Sequence, residues 1–322
     1  MSILLKVGLL LIFVALAVLI AFSMSFYLRP LATTVWFRRN ALSRAGFHKT
    51  ALATTVGTQM VWHGGSGPVL VLLHGASDQA GTWSRVVSKL KANFEVVMPD
   101  LAGHGESEPF SGPLSLGTLL GAFEQVLEAP QWHDLPLTLV GNSLGAWLAM
   151  LYADTHPCRV KRLLLAGGGP VKNAVEIGLM PKDREEARRV MDAALDPSSP
   201  RPANFVLDDL IRVSNSGPIA RLFAAGVEDM YKYLLEGRLA NFPVPVDLIW
   251  GASDRIVPLD YAKKLQAQLP RCTLTVIDRC GHAPQLERPR QFTRVLFEIL
   301  ASPPAPAPAR EPSVSMPGGE NT

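Results

Sequence analysis

Residues 139–145 read Leu-Val-Gly-Asn-Ser-Leu-Gly, an apolar run that closes on Gly141-x-Ser143-x-Gly145. A serine hydroxyl attacks a carbonyl only when it projects free and a base stands beside it. A tight turn between strand and helix gives the projection, and the flanking glycines let neighbouring backbone approach without a Cβ clash. The same turn leaves the Leu144 N–H at a helix start, where it can face a developing negative oxygen. Five residues recur by chance. Here an apolar strand precedes them and Ala-Trp-Leu-Ala-Met-Leu-Tyr-Ala follows, so the pattern is specific.

Such a serine requires a base, a carboxylate to orient it, and a second oxyanion donor. His74-Gly75-Ala76-Ser77 follows an apolar run at 68–73, and the Ala76 N–H is the expected second donor. His74 is expected to support that loop by hydrogen bonding. Asp254 lies in Trp250-Gly-Ala-Ser-Asp-Arg-Ile-Val-Pro258, directly after another apolar run. The alternative place for the carboxylate, after 160–166, offers only Gly-Gly-Gly-Pro-Val-Lys-Asn, and Asp260 reads as a helix-start residue. His282, in Cys-Gly-His-Ala-Pro, comes last in the order Ser, Asp, His. His48, His63, His104, His133 and His156 lack such placement. The expected triad is Ser143, Asp254 and His282, with Ala76 and Leu144 as the oxyanion hole. No metal or organic cofactor is expected.

These residues need a frame. Short apolar, β-branched runs at 68–73, 94–98, 137–140, 160–166, 246–250 and 273–277 end on Gly, Pro, Asp or His. Each fits a strand buried on both faces. Helix-like stretches at 81–90, 116–127, 144–155, 259–269 and 290–300 separate them. The alternation predicts an α/β fold, a mostly parallel sheet with helices on both faces and the chemistry at the strands' carboxyl ends. Residues 170–242 break the rhythm and read as an inserted helical lid, helical at 182–195 and 219–239. Its Leu179, Met180, Phe205, Phe223 and Tyr231 either line an apolar acyl site or pack the lid onto the sheet.

The ends differ from the middle. No charged residue occurs from Val7 to Leu28, and a run of that length crosses a bilayer as a helix. It exceeds the apolar core of a cleaved signal, and Ser23-Met24-Ser25 is a poor cleavage site. Arg29, Arg38, Arg39, Arg44 and Lys49 follow it, and positive charge stays cytoplasmic, which places the larger part inside the cell. The expected order is a membrane anchor (1–28), a basic juxtamembrane linker (29–58), the core (59–169 and 243–301) around the lid (170–242), and a disordered Pro/Ala-rich tail (302–322). A net charge of +3 over 322 residues points to no nucleic-acid partner. Three cysteines, Cys158, Cys272 and Cys280, do not make a disulfide framework and are expected as free thiols.

Together these motifs resemble the α/β-hydrolase superfamily from about Met60 to Leu300, the lid excepted. The resemblance includes Val97-Met-Pro-Asp-Leu-Ala-Gly-His-Gly-Glu-Ser107 and Gly281-His-Ala-Pro-Gln-Leu-Glu-Arg-Pro289. It implies a serine hydrolase working through an acyl-enzyme. The apolar N-terminus and short lid are similar to membrane-anchored esterases of monoacylglycerol-lipase type, which implies a lipophilic ester as substrate. Gly-Asn-Ser-Leu-Gly and Cys-Gly-His are also similar to carbon–carbon bond hydrolases of aromatic degradation. Those carry extra glycines where Ala76-Ser77-Asp78-Gln79 stands here. Relatives with an aspartate nucleophile are set aside by Ser143. Acyl transfer to an alcohol uses the same intermediate and stays open. A catalytically silent binding module would be expected to lack a triad member.

Overall fold

The computed structural model describes residues 2–172 and 178–306. Eight strands form one sheet: β1 (His48–Thr54), β2 (Gly57–Gly65), β3 (Val69–Leu73), β4 (Glu95–Pro99), β5 (Leu137–Asn142), β6 (Val160–Ala166), β7 (Val246–Gly251) and β8 (Cys272–Ile277). Their order is β1-β2-β4-β3-β5-β6-β7-β8. The pairs β1–β2 and β2–β4 are antiparallel and the remaining pairs are parallel. The register sets Leu73 beside Gly141, Asn142 beside Ala166 and Gly251 beside Ile277. The carboxyl ends of five adjacent strands therefore finish along one edge.

The helices are α1 (Ile3–Leu28), α2 (Pro30–Arg44), α3 (Val87–Leu90), α4 (Leu116–Leu127), α5 (Leu144–Thr155), α6 (Arg184–Ala194), α7 (Asn204–Ser216), α8 (Pro218–Ala224), α9 (Val227–Tyr231), α10 (Leu259–Gln268), α11 (Pro284–Glu287) and α12 (Pro289–Ala301). Local chemistry explains their starts. Ser115 caps α4 by accepting from the Thr118 N–H at 3.0 Å, and Asp183 caps α6 by accepting from Glu185 and Glu186. Along α4, Leu116, Leu119, Ala122, Phe123, Val126 and Leu127 are buried, the spacing of one helix face.

The sheet divides the core in two. Val69, Val71 and Leu73 of β3 face one cluster, with α4, α5 and α10. Leu70 and Leu72 face the other, where Leu42 of α2, Trp83, Phe292 and Leu296 pack. Successive side chains of a strand point to opposite faces. Both faces being covered explains why the run Val-Leu-Val-Leu-Leu is apolar throughout.

The segment expected as a linker, 29–58, belongs to the fold instead. β1 pairs with β2 along its whole length, and Leu42 and Phe47 are buried. β1 is a sheet edge whose residues are exposed or half-buried, so its composition is that of a polar surface and carries no strand signal. Two helical expectations also change. The stretch 81–90 is a 3₁₀ turn at Ala80–Trp83 followed by α3, and 219–239 is broken into α8 and α9 at Gly226, whose φ is +91°. The lid gains α7, which has no counterpart in the sequence reading. In the tail expected from 302 onward, 302–306 carry no regular element, and the rest lies outside the described residues.

Candidate active site

Ser143 caps the amino end of α5 at the end of β5, with φ 54° and ψ −115°. This is a sparsely populated conformation for a residue with a Cβ, held only where the surroundings over-determine it. The surroundings here are backbone. A Cβ on Gly145 would lie 2.2 Å from the Leu73 carbonyl oxygen, and one on Gly141 would lie 2.5 Å from the Ala146 nitrogen. The elbow is anchored by the Ser143 N–H, which donates to the Ala166 carbonyl at 2.8 Å.

The structure brings the other two expected residues together. His282 Nδ1 and Asp254 Oδ2 are 2.9 Å apart, and the Asp254 side chain is fully buried. The second Asp254 oxygen, Oδ1, accepts from the N–H groups of Ile256 and Val257, both at 2.9 Å. The carboxylate is thereby oriented, and Nδ1–H donation to it leaves Nε2 as the basic nitrogen. Asp260 is exposed, at the start of α10, as expected. His74 accepts at Nε2 from the Leu101 N–H and donates from Nδ1 to the Gly75 carbonyl, so it supports its loop.

Several residues that hold the candidate site together lay outside the sequence reading. Asn142 donates from Nδ2 to the carbonyls of Ala166 and His282, at 3.2 and 3.1 Å, and accepts from Gln285 at 3.0 Å. It ties the serine elbow to the histidine loop. Gly167 and Gly168, in the run noted only for lacking a carboxylate, make room. A Cβ on Gly168 would meet the Ser143 carbonyl at 2.4 Å, and one on Gly167 would meet His282 Nδ1 at 3.0 Å. Three glycines at a strand's carboxyl end were the available signal. Glu287 accepts from the N–H groups of Gly281 and Asp196, at 2.5 and 2.8 Å, and from the Ser199 hydroxyl. Ser253, next to Asp254, donates to Asp196. The neighbours of both His282 and Asp254 are thus tied to one lid turn.

Ser143 opens onto a cavity of about 310 Å³, also lined by Ala76, Leu144 and Trp147. Its lid wall is mostly apolar: Leu179, Ile219, Leu222, Phe223, Met230, Tyr231 and Leu234. Leu179, Phe223 and Tyr231 therefore line it as one of the two sequence readings had them. Met180 and Phe205 do not; Phe205 stacks outside the cavity on Tyr27. The lid is pinned at its base, where the Tyr261 hydroxyl donates to the Val171 carbonyl at 3.1 Å and the Leu235 N–H to Pro170 at 2.8 Å.

Beside the site, His104 is buried and donates from Nδ1 to the Ala102 carbonyl at 3.0 Å. Burial, with His74 nearby, pushes its pKa down to about 3 from 6.5. Between those values the unfolded chain binds a proton that the folded chain refuses. The stability owed to the neutral ring is whole above pH 6.5 and is lost as pH falls. Guanidinium unfolding in detergent should show the native protein losing about 2 kcal/mol more than His104→Gln between pH 7 and 5. Equal losses would remove His104 as the cause.

The sequence pattern of the Alpha/beta hydrolase family matches residues 70–295. The chain belongs to the alpha/beta hydrolase family. It is a hydrolase enzyme. It is 29% identical over 262 residues to an uncharacterized protein of Mycobacterium tuberculosis, covering 73% of this chain and 76% of that one. It is 25% identical over 258 residues to monoacylglycerol lipase ABHD6 of Homo sapiens, covering 74% and 77%. Among solved structures, a membrane phospholipase A described as a bacterial virulence factor superposes with a TM-score of 0.71 at 25% identity. That match covers 90% of this hydrolase and 97% of the phospholipase.

Proposed function

We propose that the protein is a serine esterase that cleaves lipophilic carboxylic esters, of monoacylglycerol-like chemistry, from a membrane-anchored position. The observation that carries this is Ser143, in its strained elbow, lining a mostly apolar cavity, with a His282–Asp254 pair in the loops after β8 and β7 of the same sheet. In this reading His282 takes the Ser143 proton as the serine oxygen bonds to the ester carbonyl carbon. The carbonyl oxygen becomes negative and is received by the N–H groups of Ala76 and Leu144; Leu144 is the first residue of α5, where the N–H has no partner within the helix. The carbon–oxygen bond to the alcohol breaks, and the alcohol leaves with the proton from His282. Water, deprotonated by His282, then attacks the acyl-serine and releases the acid.

Lipid esters are supported by the apolar lid wall, by the lipase ABHD6 among the relatives and by the phospholipase among the structures. The anchor is α1, 26 residues long with a mean hydropathy of 3.0 over its most apolar window and no buried residue. The basic residues that follow it support a cytoplasmic catalytic domain. Hydrolysis of a p-nitrophenyl ester series from acetate to palmitate tests the reading. We expect turnover to rise with chain length until the acyl group fills the cavity. No turnover of any member by the folded enzyme would refute the esterase assignment.

Glu287 supplies a separate check. Glu287→Ala removes the acceptor of the Gly281 N–H beside His282. We expect kcat to fall by about 10²-fold with little change in KM, the effect of a base displaced from its reacting partner. An unchanged kcat would show that the lid turn does not position the histidine.

A further inference from the structure

The anchor does not end where the folded domain begins. Only Arg29 separates α1 from α2, and its N–H still donates to Ser25 of α1. The last turns of α1 then meet the lid. Tyr27 stacks on Phe205 of α7 with ring centroids 5.2 Å apart, and Phe26 meets the same ring edge-on at 5.8 Å. The Leu31 N–H, in the first turn of α2, donates to Asp209 of α7 at 2.9 Å, and Asp209 is buried. Helix α7 is joined through Gly217 alone to α8, whose Ile219, Leu222 and Phe223 roof the cavity over Ser143.

The outer face of the α1–α2 junction is apolar and uncovered. Trp36 is 54% exposed and Phe37 48% exposed, and Phe37 meets Phe22 of α1 at 6.0 Å. Arg38 and Arg39, which follow directly, turn to the folded domain instead, Arg38 pairing with Asp78 and Arg39 with Asp100 and Glu106. An exposed tryptophan and phenylalanine continuous with an apolar span are the side chains that bed at the headgroup level of a bilayer.

We propose that the lipid bilayer covers the Trp36–Phe37 face, and that the anchor seated there holds the α7–α8 hairpin of the lid through Phe205 and Asp209. Long acyl chains then reach Ser143 from the membrane under a lid whose position the anchor sets. Soluble esters have no need of that route. The access claim rests on the esterase reading above; the docking claim does not.

The test uses the full chain in phosphatidylcholine vesicles. Phe205→Ala and Asp209→Asn should each lower turnover of vesicle-dissolved p-nitrophenyl palmitate by roughly three- to tenfold, what the loss of one such contact converts to. Turnover of p-nitrophenyl acetate should stay within about twofold, since that range is less than 0.5 kcal/mol. A parallel fall on both esters would mean that the residues only stabilise the fold, and no fall on palmitate would mean that the anchor does not set the lid; either overturns the coupling. Bilayer contact is read without activity. Trp36 is the one exposed tryptophan among the described residues, so vesicles of brominated phosphatidylcholine should quench a component that Trp36→Phe lacks. Equal quenching in the two proteins would overturn the docking face. If the unaltered enzyme turns over neither ester while Trp36 is quenched, the esterase reading falls and the docking face stands.

Discussion

Ser143→Ala is expected to lower ester hydrolysis by about 10⁴- to 10⁶-fold and to abolish labelling by a fluorophosphonate. The residual rate would come from the oxyanion donors and from binding, which the substitution leaves in place. The protein should stay folded. The strained φ of Ser143 is imposed by close backbone at Gly141 and Gly145, and alanine keeps the same Cβ. Asp254→Asn should cost about 10⁴-fold by a different route. Its amide still meets the Ile256 and Val257 N–H groups through oxygen and then turns an NH₂ toward His282. That selects the tautomer with its proton on Nε2, which cannot take one from serine. Measuring kcat with unfolding curves for both variants separates chemistry from folding. If Ser143→Ala kept more than about a hundredth of the activity, another residue would be the nucleophile.

The largest expected loss of stability lies away from the chemistry. Arg162 on β6 and Asp247 on β7 form a buried ion pair, their side chains 10% and 3% exposed. The guanidinium also donates to the carbonyls of Ile299 and Ser302, at 2.7 and 2.6 Å, and Thr273 donates to the Asp247 carboxylate at 2.6 Å. Arg162→Met leaves a carboxylate buried without its charge partner, which typically costs about 3–5 kcal/mol. For a domain of this size that lowers Tm by roughly 10 °C. Pairing it with Asp247→Leu should recover at least half, because an apolar pair in place of a buried ion pair is often close to neutral. Thermal unfolding followed by near-ultraviolet circular dichroism checks both. A single variant as stable as the native protein would show that the pair does not hold β6, β7 and the end of α12 together.

What could be read in advance follows from where each signal sits along the chain. β3, β5, β6 and β7 announce themselves as unbroken apolar runs because helices cover both their faces. The glycines around Ser143 announce the elbow, because an added Cβ there would lie only 2.2–2.5 Å from Leu73 and Ala146 backbone. Asp254 and His282 follow from their places after two strands. By contrast β1 is an edge strand of mixed polarity, and α2 hides one buried stripe among arginines, so both read as linker. Arg162 and Asp247 interrupt apolar strands with no local hint that they face each other across 85 positions of chain.

The sequence by itself determined the fold class, the placement of Ser143, Asp254 and His282 after successive strands, and an apolar run from Val7 to Leu28. Those rest on periodicity, on short motifs and on chain order, which are properties of neighbouring residues. Tertiary structure alone decided that Asn142 laces the serine elbow to the histidine loop. It also decided that Glu287 and Asp196 fasten that loop to the lid, and that Phe205 lies outside the cavity and stacks on Tyr27 of α1. A hydrogen bond or a ring contact needs two groups within a few ångströms. For residues far apart in the chain, only the packing of the helices and the register of the sheet set that distance.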